Sequence, residues 1–203
     1  ALLADSNDAS GEASIFLNAG EHTITLTNLR DALVIDYVIL KGTEKLPTYE
    51  EYSAEHKNVQ TAPMQVLLQA ENTLSKSASA IYPTYDRTSS YTQPYHPTQM
   101  RLNTIGASGW KQVGEWVEWE LEVPADGLYQ IGLRYHQNQV KGYYVTRRVM
   151  IDGKVPFAEL DAVKFAYHAD WDYMTFGESA KTPYLFYLTQ GKHTLRMQAT
   201  LRD

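Results

Sequence analysis

The cleanest periodic signal in the chain runs from Glu115 to Val123, where Val117, Trp119, Leu121 and Val123 alternate with Trp116, Glu118, Glu120 and Glu122. A period of two predicts a strand with one buried and one wet face. Pro124 to Gly127 supplies a turn. Leu128 to Tyr135 then returns with Tyr129, Ile131, Leu133 and Tyr135 set against Leu128, Gln130, Gly132 and Arg134, which predicts a hairpin. Met64 to Glu71 reads as the first strand of this region, Tyr143 to Ile151 with Asp152 and Gly153 as a strand and turn, and Pro183 to Leu188 as the opening of a last hairpin. Helical periodicity nowhere exceeds three turns. The expected class is an all-β sandwich.

One unit recurs. Phe16 to Thr27 matches Tyr187 to Gln198, with Leu17/Leu188, Gly20/Gly191, His22/His193 and Thr23/Thr194 in step. Each copy has an apolar strand, a glycine suited to positive φ and a second alternating strand, which predicts a half-buried hairpin. In the first copy a further strand follows, from Ala32 to Leu40, with Ile35, Tyr37 and Ile39 on one face. The second copy stops at Asp203 before any such strand. An isolated strand pair is marginal in water, so the N-terminal segment is expected to complete the sandwich of the rest, through residues 32–40 beside 64–71, or that of a neighbouring copy. The polar stretch from Lys45 to Asn58, with Pro47, marks a boundary and reads as a linker or one short helix. The expected organisation is 1–44, the closing strands of one sandwich; 45–63, a linker; and 64–203, the main sandwich. Within the last, Ile81 to Gln99 is a long loop with three prolines and four tyrosines, a length that marks function or mobility.

Composition narrows the function classes. Eighteen basic against twenty-four acidic residues give a net charge of −6 with no basic run, which disfavours a nucleic-acid partner. No apolar run is long enough to span a membrane. Cysteine is absent, which excludes a disulfide scaffold and thiol chemistry. The chain opens without Met and without a signal-peptide pattern, as a processed or excised piece would. Fifteen tyrosines and four tryptophans exceed what one core needs, so some are expected to face water or a ligand.

Several short motifs carry a resemblance. Gln69-Ala-Glu71-Asn72 on the predicted first strand, Gly114 to Trp119, Val123 to Tyr129 followed by Arg134-Tyr135, and Gly191 to Leu195 resemble the carbohydrate-binding modules of families 6 and 35, which are jelly-roll β-sandwiches. Gly20 to Ile24 with Ile35 to Tyr37 resembles the closing strands of a second such module. Arg147 to Phe157 is similar to a sandwich type appended to large extracellular carbohydrate-handling proteins of Gram-positive bacteria. The resemblance implies a module of a larger extracellular or cell-surface protein, with an oligo- or polysaccharide and neighbouring domains as partners. It also implies a structural Ca²⁺. In the resembled modules the glutamate of the Ala-Glu-Asn motif binds this ion with an aspartate of the last strand, which points to Glu71, Gln69 and Asp36 here.

Against that expectation each side chain has an ordinary alternative. Trp119 lies on the apolar parity and is expected in the core, whereas Trp116 has the opposite parity. Trp110 and Trp171 lie in predicted loops and are candidates to stack on a pyranose ring, whose C–H groups match the negative π-face; the alternative is to anchor their loops. Tyr143 is a further candidate, and Tyr82, Tyr85, Tyr91 and Tyr95 share the ambiguity. Gln137, Asn138 and Gln139 offer donors and acceptors suited to sugar hydroxyls, or else form a turn. No catalytic motif is present, and Asp161, Asp170 and Asp172 are merely acids near Trp171 from which a hydrolytic pair could be drawn. The reading is non-catalytic carbohydrate binding. Its rivals are a structural or interaction module that positions neighbouring domains, and a glycoside-active enzyme domain.

Overall fold

The computed structural model describes residues 19–25, 27, 34–36, 38 and 45–201. Among the described residues, antiparallel strands build two facing layers, accompanied by one α-helix. One layer is a five-stranded sheet in the order β1 (Ser75–Lys76), β4 (Trp116–Val123), β13 (Gly191–Thr200), β7 (Tyr144–Ile151) and β8 (Val163–Ala166). Opposite it lie two ribbons, β5 (Gly127–Tyr129) with β12 (Phe186–Leu188), and β6 (Gly132–Tyr135) with β9 (Asp172–Thr175). Two small ribbons, β2 (Pro83–Thr84) with β3 (Thr104–Ile105) and β10 (Gly177–Ser179) with β11 (Thr182–Pro183), edge the structure. Among the described residues no helix is long and apolar enough to cross a membrane.

Alternation sets the faces. Val117, Trp119 and Val123 of β4, Leu195 and Met197 of β13, Val149 of β7 and Phe165 of β8 point inward and meet Phe176, Phe186 and Leu188 from the other layer in one core cluster. The outer parity of β4 and β13 is ionic: Glu118 faces Arg196 across the ladder, with Arg196 Nη2 2.8 Å from Glu118 Oε2, and Ser75 donates to the same carboxylate.

Two expected hairpins are instead crossings between the layers. β4 pairs with β1 and β13 while β5 pairs with β12, so the turn after Val123 carries the chain from one sheet to the other. Likewise β12 and β13, the repeat unit at the C-terminal side, belong to different sheets and join through Gly191 at φ 131°. Each strand has one apolar face, and a sandwich buries that face as well as a hairpin does. Asp152 and Gly153 do form a tight turn, with φ of 52° and 74°.

Met64 to Glu71 is not a strand. Thr61 forms a parallel bridge to Leu128, held by the Ala62 N–H on the Leu128 carbonyl and the Leu128 N–H on the Gln60 carbonyl. Residues 64–69 pair with no described strand, leaving Leu67 77% exposed. The chain enters the five-stranded sheet at Ser75. Of the N-terminal unit, residues 19–25, 27, 34–36 and 38 are in no strand, so they do not supply the expected pairing with 64–71. The rest of the predicted hairpin at 16–27 and strand at 32–40 lies outside the described residues.

The stretch read as a linker or one short helix holds a short helix packed on the sandwich. Thr48 caps α1 (Tyr49–Glu55) with its hydroxyl on the Glu51 N–H, and the Glu51 carboxylate accepts from the Thr48 N–H. Tyr49 and Tyr52, three apart, share a helix face and lay their rings 5.0 and 5.1 Å from Phe157. Their hydroxyls accept from the Leu185 and Tyr187 N–H groups, 2.9 Å each, covering donors at and beside the edge of β12.

Near the start of β13 a histidine stands between two acceptors. His193 Nδ1 lies 2.7 Å from Asp152 Oδ2 and Nε2 lies 2.9 Å from the Thr189 carbonyl, so both ring nitrogens face acceptors. Burial works against the charged ring, but the Asp152 hydrogen bond, the Thr189 carbonyl and the Asp152 charge outweigh it and raise the pKa above the ordinary 6.5. A raised folded pKa gives stability that is fully present below pH 6.5 and lost as pH rises through the folded value. The melting temperature of His193→Gln should therefore fall short of the wild type at pH 6 and converge on it in mildly alkaline buffer. A gap of constant size across that range would remove His193 as the cause.

Candidate functional site

Three segments converge at one end of the β6–β9 ribbon. The first is the long loop between β2 and β3. Its base is fixed by the Thr84 and Thr104 hydroxyls, 2.7 Å apart, and by buried Asn103, whose Oδ1 accepts from the Asp86 N–H and whose Nδ2 donates to the Asp86 and Pro94 carbonyls. The second and third are the loops after β6 and before β9, joined by the His168 N–H on the Gln137 carbonyl and by His136 Nε2 2.9 Å from the Ala169 carbonyl.

Asp86 links the first loop to the third. Its Oδ1 accepts from the Thr88 N–H at 2.8 Å and the Thr88 hydroxyl at 2.6 Å, and the Trp171 indole N–H reaches the same oxygen at 3.3 Å and Thr88 Oγ1 at 3.2 Å. Burial pushes the Asp86 carboxyl up, but the Thr88 and Trp171 hydrogen bonds and the nearby His136 prevail and hold it below the usual carboxylate range. The anchored Trp171 ring forms a wall of an open cavity of about 320 Å³ whose other lining residues are Thr88, Ser89, Tyr91, Arg134 and Asp170. Arg134 places its guanidinium carbon 5.7 Å from the Trp171 ring and 5.8 Å from the Tyr91 ring, and donates from Nη2 to the Ser89 hydroxyl at 2.9 Å. Tyr91 is 78% exposed.

Two aromatic faces, an exposed guanidinium, two hydroxyls and a carboxylate around a wet cavity can hold a polyol ring by stacking and by hydrogen bonds to its hydroxyls. They do not assemble a hydrolytic pair: Asp170 lines the cavity, whereas Asp161 is bound to Arg148 at 2.6 Å and Asp172 lies 3.1 Å from His168 Nε2.

The other sequence candidates are placed as follows. Tyr143 is exposed just before β7 and is not part of the cavity wall; its carbonyl accepts from the Tyr167 N–H. Trp110 is half-buried and anchors its loop: the indole donates to the Glu115 carbonyl at 2.9 Å, packs edge-on against Trp119 and lies 4.7 Å from the guanidinium of Arg147. Burial pulls that guanidinium down to about 10 against the opposing charge of Glu115. Gln137 is buried and builds the turn, its Oε1 accepting from the Gln139 and Val140 N–H groups. Asn138 and Gln139 are exposed at the tip and bond to each other at 2.6 Å. Arg134, Thr88, Ser89 and Asp170 were not singled out in the sequence as ligand residues. The visible signals are the outward parity of Arg134 and the place of Asp170 beside Trp171.

At the expected metal position, Glu71 is half-buried, and its Oε2 is buried with no hydrogen-bond partner among the described residues. The Gln69 carbonyl accepts from the Asn72 N–H, and Asp36 is exposed. Among the described residues no group of three or more acidic, histidine or cysteine side chains is arranged to hold a metal.

No protein-family model and no curated protein matches the chain. Among solved structures it is similar to a cycloisomaltooligosaccharide glucanotransferase of Paenibacillus sp., at 17% identity over 75% of this chain with a TM-score of 0.48, and spans 20% of that protein's length. It is also similar to a family 35 carbohydrate binding module from Clostridium thermocellum, at 18% identity over 68% of this chain and 88% of the module with a TM-score of 0.46. A family 35 module from an environmental isolate is similar at 13% identity over 68% of this chain and 85% of the module, with a TM-score of 0.45.

Proposed function

We propose that this chain is a non-catalytic carbohydrate-binding β-sandwich that serves a larger extracellular or cell-surface protein and takes an oligo- or polysaccharide in the cavity between Tyr91 and Trp171. The observation that carries this reading is the solvent-open concavity with an exposed aromatic on one side and an anchored indole on the other, bridged by Arg134. A module that only positions its neighbours has no use for a tyrosine held open over a cavity. The test is a glycan array with the chain labelled away from the cavity, followed by titration of the best glycan. Selective binding that leaves the glycan intact is expected. Absence of binding across the array favours the positioning module, and cleavage of the glycan favours the enzyme.

The same reading assigns a structural Ca²⁺ to Glu71, with Gln69 and Asp36. Its support is the buried, unpartnered Glu71 Oε2, a hard anionic oxygen of the kind Ca²⁺ takes together with carbonyls and water. An ion bound to the native state alone raises stability by about 2.7 kcal/mol at a hundred times its dissociation constant. Melting should therefore move up with free Ca²⁺, and Glu71→Gln should remove most of the response. Superimposable melting curves in excess Ca²⁺ and in chelator would remove the ion from the assignment and leave the sandwich untouched.

A further inference from the structure

The outer face of the β6–β9 ribbon adjoins the cavity through Arg134. Arg134, which forms part of the cavity wall, is the register partner of Tyr173, so the two side chains stand on the same face of the ladder. Trp171 and Tyr173 are two residues apart, an advance of about 6.6 Å along an extended chain. Tyr173 is 66% exposed, and among the described residues no aromatic or cationic side chain stacks on its ring.

Its neighbour across the ribbon explains its posture. A Cβ on Gly132 would come within 2.1 Å of the Tyr173 hydroxyl and 2.8 Å of its Cζ. The far end of the ring therefore lies against the bare backbone of β6, and the side chain is laid along the sheet instead of standing off it. Any side chain at position 132 would lift it, and the absence of one keeps the ring flat on the ribbon face that it shares with Arg134. The ring shares a ribbon face with Arg134 and follows Trp171 by two residues, so its open side is where a ligand that extends beyond the cavity along the ribbon would lie.

We propose that the ligand is an extended oligosaccharide rather than a single terminal sugar, with one ring between Tyr91 and Trp171 and a following ring on Tyr173 over Gly132. This rests on the reading of the cavity as a carbohydrate site and adds to it a second subsite and a chain-length requirement. The first ring is held by the anchored indole and Arg134; the second gains contact with one aromatic face. Glycine at position 132 is thus a specificity-determining residue, through the orientation of Tyr173.

The test is isothermal titration with xylo-, manno- and gluco-oligosaccharides of one to six units. In the series that binds, wild-type affinity should rise from one unit to the next and then level off. Tyr173→Ala should remove that rise, about tenfold, and leave single-sugar affinity unchanged. Gly132→Ala keeps the tyrosine but displaces its hydroxyl, and should behave in the same way. Affinity independent of length in the wild type, no effect of Tyr173→Ala, or an equal loss for one unit and for many would each overturn the second subsite while leaving the cavity in place. No binding at any length in any series would overturn both.

Discussion

Trp171→Ala should weaken glycan binding by roughly 1–3 kcal/mol, or about tenfold to more than a hundredfold in Kd, as loss of a buried aromatic anchor does. Two effects add. The stacking face goes, and Arg134 loses one of the two rings that hold its guanidinium, so the remaining polar contacts are less well placed. The Asp86 carboxylate keeps its two donors from Thr88, so the loop between β2 and β3 should hold its own shape, while its link to the loop before β9 is lost. Trp171→Phe provides the finer control: it keeps a ring but loses the N–H that fixes the plane, and should fall between wild type and alanine. Trp110→Ala should do the reverse, lowering stability through loss of its bond to Glu115 and its packing on Trp119, with the Tyr91 and Trp171 surfaces intact. Titration that finds equal affinity in wild type and Trp171→Ala would move the site away from this cavity.

The two tryptophans show how far the sequence reaches. Each sits in a predicted loop beside a small or acidic neighbour, and nothing local separates them. What does is tertiary: Trp110 folds under Arg147 and gives its N–H to the backbone of Glu115, while Trp171 gives its N–H to a carboxylate on a loop more than eighty residues earlier and keeps a face on the cavity. Gln137 is a similar case. Its amide matches sugar hydroxyls in chemistry, but the turn it closes takes up both of its oxygen's acceptor positions. Glu71 stands out in the sequence only through the resemblance of its Ala-Glu-Asn motif; that one of its oxygens is buried with no hydrogen-bond partner among the described residues is a tertiary fact.

For the fold, faces were legible and partners were not. The alternation from Glu115 to Val123 assigns Val117, Trp119 and Val123 to the interior and the three glutamates to the other side, as found. Alternation is satisfied equally by a hairpin and by a strand that crosses to the opposite layer, which is why β4 with β5 and β12 with β13 were paired wrongly. The apolar run from Met64 to Leu68 looked like a strand because its side chains suit one, but a ladder also needs a neighbour with free backbone groups, and no described strand provides it. Helix α1 falls in the polar stretch from Lys45 to Asn58 that reads as a linker or one short helix, and its packing role is not visible there, since its apolar face consists of two tyrosines whose value lies in what their hydroxyls reach.

That helix leads to the substitution with the largest expected cost in stability. Phe157 is fully buried between the layers, with ring centroids of Tyr49, Tyr52 and Tyr184 at 5.0, 5.1 and 5.1 Å and that of Phe186 at 5.7 Å. It follows the Asp152 turn and precedes a short 3-10 helix at Ala158–Leu160, where the Ala158 N–H is bonded to the Pro47 carbonyl, so one residue ties α1 to both sheets. Phe157→Ala should cost about 3–5 kcal/mol, the transfer loss plus a cavity that four surrounding rings are too rigid to fill. Against a total stability of about 5–15 kcal/mol this is a large fraction, and the loss should be uneven. With its platform gone, α1 should detach first, exposing the Leu185 and Tyr187 N–H groups to hydrogen exchange ahead of those in the β4–β13 ladder. Tyr52→Phe, which removes one acceptor and keeps the ring, should cost only about 1 kcal/mol and open Tyr187 alone. A denaturant midpoint that barely moves in Phe157→Ala, or protection lost uniformly across both sheets, would show that α1 is a passenger on the sandwich rather than the cover of its edge.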